Sequence, residues 1–268
     1  MSQGRTIEVD FFDFTLMDIY QVLLVMFRTG ALLMTVPVFG HVSIPRVLRL
    51  WLIIILTVLI FPSGVTTGVD PPATVTNLAI VILSELAVGF LMGFATVIIF
   101  SAVQFAGHII GLQMGLAVAT VMDPMSAGQI SIIGQFYYLF SLLIFLLING
   151  HHMIVEALVK SFEMVPLGGA VFVPELGTFF IDLSFMVFVV GVKLAAPVII
   201  TLYIINAVLG IVARTVPQMN VFIVGFPLAI GVGLALIGLS FPFFYMLLNK
   251  VFLGLEPDLI TIIRMLRG

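Results

Sequence analysis

Cysteine is absent from this sequence of 268 residues. Disulfides, thiolate metal sites and thiol nucleophiles are excluded with it, while the redox compartment stays open. Charge is scarce too: Asp, Glu, Lys and Arg make up 9% of the chain, where soluble domains carry roughly 25%. Such a chain lacks the polar surface to face water all round. Its net charge of −3 comes without a basic run or an acidic tail, which argues against a nucleic-acid partner. The opening "MSQGRTIEVDFFDF" sets one Arg against Glu8, Asp10 and Asp13, so no cleaved signal peptide is expected there. Catalytic signatures are missing as well. There is no G-x-x-x-x-G-K-[ST] loop, and "GVGLALIG" (231–238) puts Leu236 where the third glycine of a dinucleotide loop belongs. His151 and His152 are adjacent, with no H-E-x-x-H around them, and read as a loop pair near the membrane surface. Ser126 has no G-x-S-x-G context. Nucleotide hydrolysis, metal catalysis and serine hydrolysis are therefore not expected, and no cofactor is implied.

What is present is apolar. Hydrophobic residues make up 62% of the chain and the mean hydropathy is +1.32, which predicts an all-α integral membrane protein. Apolar runs fall at about 16–39, 50–62, 78–105, 132–148, 184–210 and 222–248. The second and fourth are short for a span and are bounded by breakers, Pro62-Ser63-Gly64 and Asn149-Gly150-His151-His152. Segments 63–77 and 149–183 read as the main loops, with Thr76 or Asn77 capping the helix that follows the first. Pro37, Pro197, Pro227 and Pro242 inside apolar runs predict bent helices supported by neighbours. Lys and Arg are too evenly divided among the connections to set an orientation.

Charges inside these runs are the candidate functional residues. Arg28, Glu85 and Lys193 interrupt apolar stretches, and Asp182 immediately precedes one. A charge at a helix centre costs about 2.5–3.5 kcal/mol on insertion scales. Such groups belong to a structural pair or a snorkelling side chain, to a proton or ion path, or to a pairing across a subunit interface. Glu85, Gly89 and Gly93 are four apart and share one helix face, where another backbone can approach closely. Gly107, Gly111 and Gly115 repeat the spacing and lead into "GLQMGLAVATVMDP", residues 111 to 124.

Four ordered stretches carry a resemblance. "MFRTGALLMTVPVFGHVSIPRVLRLWL" (26–52), "SELAVGFLMGFATVIIFSAVQFAGHIIGLQMGLAVATVMDP" (84–124), "NGHHMIVEAL" (149–158) and "ARTVPQMNVFIVGFPLAIGVGL" (213–234) together resemble the FliR family of flagellar export-gate proteins. The virulence type III secretion homologues share the resemblance, and "RTVPQMNVF" points to the flagellar branch. It implies one subunit of a helical hetero-oligomeric gate in the bacterial inner membrane, at the centre of the flagellar basal body. FliP and FliQ would be the direct partners, with FlhB outside, further basal-body export components and membrane lipid around, and unfolded flagellar proteins as cargo. It also implies a single membrane domain, 1–268. Residues to about 180 would be FliP-like, about 181–250 a FliQ-like hairpin, and 251–268 a C-terminal tail. No catalysis and no cofactor are implied.

Within that frame the quoted stretch reads as a plug near 106–131. A mobile apolar constriction seals a pore by excluding water and yields to a passing chain. Methionine is soft and adaptable, glycine gives the backbone mobility, and Asp123-Pro124 disfavours a helix beyond Met122. Gly111, Gln113, Met114, Gly115, Leu116, Val118, Met122, Asp123, Pro124 and Met125 are the candidate gate residues. Met114, Leu116, Val118 and Met122 are expected to face the lumen wall. The competing structural reading is a packed re-entrant turn. Arg28, Glu85, Gly89, Gly93 and Lys193 are the candidates for buried charge and subunit packing. The rival functional class is a proton-coupled secondary transporter using Glu85 and Asp123.

Overall fold

Apolar chain in a membrane must close its backbone hydrogen bonds within each segment, and here it does so by forming helices. The computed structural model describes residues 16–61, 71–72, 74–116, 131–216, 218 and 220–268. Among these, all regular structure is helical: α1 Leu16–Thr35, α2 Pro37–Gly40, α3 Arg46–Ile60, α4 Val75–Gln113, α5 Ile132–Leu147, α6 Gly150–Met164, α7 Glu175–Thr215, α8 Val221–Leu253 and α9 Leu255–Arg267. Four helical stretches are long and apolar enough to cross a bilayer, and five if the bent pair α5–α6 is one span.

Helix α4 is the hub. Its 39 residues carry almost no preferred apolar face, because α1, α5, α7 and α9 all pack against it. A helix apolar all round belongs inside a bundle. Val88, Met92, Ala95, Val103, Ala106 and Ile110 are accordingly shut away completely. By contrast, α7 and α8 bury only a third or less of their most apolar windows.

Several expectations need correction. The first apolar run ends at Thr35, because Pro37 has no N–H to extend the ladder and instead opens α2. The cap of α4 is Thr74, whose hydroxyl accepts from the Asn77 N–H, not Thr76 or Asn77. Segment 149–183 is mostly helix. Asn149 takes the left-handed conformation at φ 60°, which ends α5, and α6 starts at once on a new axis bent by 67°. Ile154, Ala157, Leu158, Ser161 and Phe162 form its buried stripe at helical spacing, and His151 and His152 lie in its first turn. The tail beyond residue 250 is also structured. Leu255, Leu259, Ile262, Ile263 and Leu266 form one fully buried face of α9 against α6 and α4. The domain boundary expected near residue 181 falls inside α7.

Candidate functional site

Arg28 and Glu85 come together from α1 and α4, 57 positions apart, and both side chains are completely buried. The Arg28 Nε donates to one carboxylate oxygen at 2.6 Å and Nη2 to the other at 3.1 Å. This is the bidentate fork that only arginine offers. Its remaining nitrogen, Nη1, donates to the carbonyls of Ser161 at 2.9 Å and Val165 at 3.0 Å. The Ser161 carbonyl lies in the last turn of α6 and also accepts from the Val165 N–H, while the Val165 carbonyl lies just past the helix end, where no further turn follows to satisfy it. The guanidinium also lies 4.4 Å from the Phe162 ring centroid, a cation–π contact. Glu85 takes a third donor at 2.7 Å, the N–H of Gly168, which adopts φ 68° in the loop after α6. One ion pair thus ties α1, α4, the end of α6 and the 165–174 loop into a knot from which water is excluded.

Glycine makes the knot possible. A Cβ on Gly89 would collide with the Arg28 carbonyl and sit 2.9 Å from the Ala31 Cβ, and one on Gly93 would meet the Thr35 Cβ at 2.6 Å. The glycine face expected from the spacing therefore lets α1 lie directly on α4, within this chain. Gly107 and Gly111 serve α5 in the same way: a Cβ at Gly107 would come 2.5 Å from the Gly134 Cα, and one at Gly111 2.9 Å from the Ser131 hydroxyl.

Gly115 does not continue that ridge, because α4 has already ended at Gln113. With φ 80°, Gly115 donates to the Leu112 carbonyl while Leu116 donates to that of Gly111. This is a Schellman stop, which needs a left-handed residue. The terminator of α4 is therefore Gly115. Gly111 and Gln113 belong to the helix, and the Gln113 amide donates to the Tyr203 hydroxyl of α7 at 3.0 Å. Met114 was expected to face the lumen; it is wholly buried in this chain, where a Cβ on Gly233 of α8 would come within 3.0 Å of its side chain. Gly115 lies against the Phe226 ring, and Leu116 is partly buried against the core. Val118, Met122, Asp123, Pro124 and Met125 lie outside the described residues. The described start of the segment is a packed anchor spread over α5, α7 and α8.

Lys193 also departs from expectation: its side chain is exposed on α7, as is that of Asp182. The partners Ser161, Phe162, Val165, Gly168, Phe226 and Gly233 were not singled out from the sequence. Only the small-residue face around Gly233 gave a signal. Held by three donors and closed to water, Glu85 is a fixed strut, whereas a proton relay must exchange with solvent.

Bacterial export proteins, family 1, match this chain over residues 19–255. Flagellar biosynthetic protein FliR of Bacillus subtilis is 35% identical over 236 residues, covering 86% of this chain and 89% of that protein. FliR of Escherichia coli is 34% identical, covering 87% and 90%, and that of Aquifex aeolicus 36%, covering 82% and 84%. The chain belongs to the FliR family of flagellar export proteins, multi-pass membrane components of the export apparatus that are structural rather than enzymatic.

Proposed function

We propose that this chain is a subunit of the flagellar export gate, forming with FliP and FliQ the path by which unfolded flagellar proteins cross the inner membrane. FlhB would lie against the outside. The observation that carries this reading is the length of exposed apolar surface on α7. Ile181 is 69% exposed and Ile211 65%, and the two lie about 45 Å apart along the axis at ~1.5 Å per residue. The hydrocarbon core is only ~30 Å thick. A tilt of ~40° still leaves a rise of about 34 Å. Lipid alone cannot cover exposed apolar surface over this length of helix, so other protein chains must. The α7–α8 hairpin is then the FliQ-like part, and the bundle around α4 the FliP-like part.

Closure of the path falls to the Gly- and Met-rich stretch from Gly111 to Met125. Support comes from its composition and from the anchor of its start, which Met114 and Gln113 fasten to α8 and α7. The experiment is purification through a tag on this chain in mild detergent, with the mass and composition of the particle measured. A particle containing FliP and FliQ supports the reading. A lone chain that takes up solute against a proton gradient in vesicles overturns it in favour of a transporter.

A further inference from the structure

Lys193 sits near the middle of α7, exposed, and no carboxylate or carbonyl among the described residues pairs with it. Around it the exposed surface is apolar. Met186, Lys193, Ile200 and Ala207 are seven apart and all exposed. Apolar residues repeating every seven positions form the seam by which one helix packs along another. A single lysine on such a seam lowers stability and fixes the register. On the same face, three turns toward the N-terminus and about 16 Å away along the axis, Asp182 is exposed as well.

Lipid is a poor neighbour for this seam wherever the bilayer lies. If Lys193 is at membrane mid-depth, its ammonium needs a counter-charge. If the uncharged stretch from Leu194 to Val212 spans the hydrocarbon instead, then Met186, 44% exposed on the seam, lies outside it and needs protein cover. A second copy of this chain does not fit. Copies inserted with one orientation would set Lys193 against Lys193 and Asp182 against Asp182.

Resting on the gate reading above, we propose that Lys193 is the cationic half of an ion pair across a subunit interface, made with a carboxylate on an apolar helix of a different protein. The partner helix lies along the Met186–Ile200 seam, and the pair sets its register. Truncating one member of a buried pair leaves the other unpaired and weakens the complex. A lysine that merely reaches through lipid to the headgroups behaves in the opposite way, since its removal relieves a cost.

The test uses cells expressing tagged wild-type, Lys193→Met, Lys193→Arg and Lys193→Glu chains, with recovered partner proteins measured per tagged chain in the membrane. Lys193→Met and Lys193→Glu are expected to lower recovery by about tenfold or more. Lys193→Arg is expected to keep most of it, and replacement of a partner acidic residue by Lys to restore Lys193→Glu. Because the side chain is exposed, thermal unfolding of the tagged chain itself should not change. Equal or better recovery with Lys193→Met overturns the pairing while leaving the gate reading intact. A wild-type chain that recovers no partner overturns both.

Discussion

Arginine 28 does two jobs with one side chain, and substitutions separate them. Arg28→Ala leaves the Glu85 carboxylate buried with only the Gly168 N–H and takes a donor from the Ser161 and Val165 carbonyls, of which only Ser161 keeps another, the Val165 N–H. Breaking a buried pair from one side costs about 3–5 kcal/mol. Arg28→Ala is therefore expected to lower the thermal stability and the membrane level of the chain itself, not merely its assembly. Arg28→Lys should be nearly as harmful, since a point charge cannot fork to a carboxylate and two carbonyls at once. In a double-mutant cycle, Arg28→Met with Glu85→Leu should lose less than the two single changes added together, as measured by unfolding in detergent. Additive losses would mean that the two groups act independently. Gly89→Ala should cost about 1–3 kcal/mol, because the α1 backbone has nowhere to go. The four-residue spacing of Glu85, Gly89 and Gly93 made the contact face legible in the sequence. Arg28 and Glu85 could be read from the sequence as partners of one another or of other subunits; the sequence could not decide between these, because the pairing depends on two helices meeting across 57 positions. Nothing local distinguishes Arg28 from Lys193, yet one charge is satisfied within the chain and the other faces outward.

Helices carry the next level of the account. The stop at Gly115 requires a left-handed residue and room for the Phe226 ring, so Gly115→Ala should cost about 1–2 kcal/mol for the conformation alone. A bulky residue there should block export without loss of membrane tightness. A short deletion within residues 117–125 is expected instead to leave the complex assembled but leaking ions, read as conductance or dye uptake. Tight membranes with the complex present would reduce the whole stretch to a packed turn. Helix α9 gives a sharper case. Its five fully buried aliphatic side chains are worth about 1.5–3 kcal/mol each on removal from water. That total rivals the net stability of a typical domain, ~5–15 kcal/mol. Truncation after Leu253 should therefore abolish accumulation of the chain, as followed by immunoblot of membranes. Neither α6 nor α9 was read as a helix from the sequence, because both are too short and too polar to stand out as membrane runs. They form because α4 offers a surface for their apolar stripes, and that surface exists only in the folded bundle.

At the scale of the whole molecule, a well-packed bundle around α4 carries a hairpin whose outer face is largely unburied. Composition alone established a helical membrane protein, and the ordered motifs established its family. Photo-crosslinking in living cells tests the central claim that protein covers this face. A photoreactive residue is placed in turn at Ile181, Phe188, Ile200 and Ile211, and the adducts are sized and identified by mass spectrometry. The account predicts adducts to other proteins of the export apparatus at positions along the whole length of α7, including both ends. Adducts to lipid alone, or none to protein at any of the four positions, would contradict it.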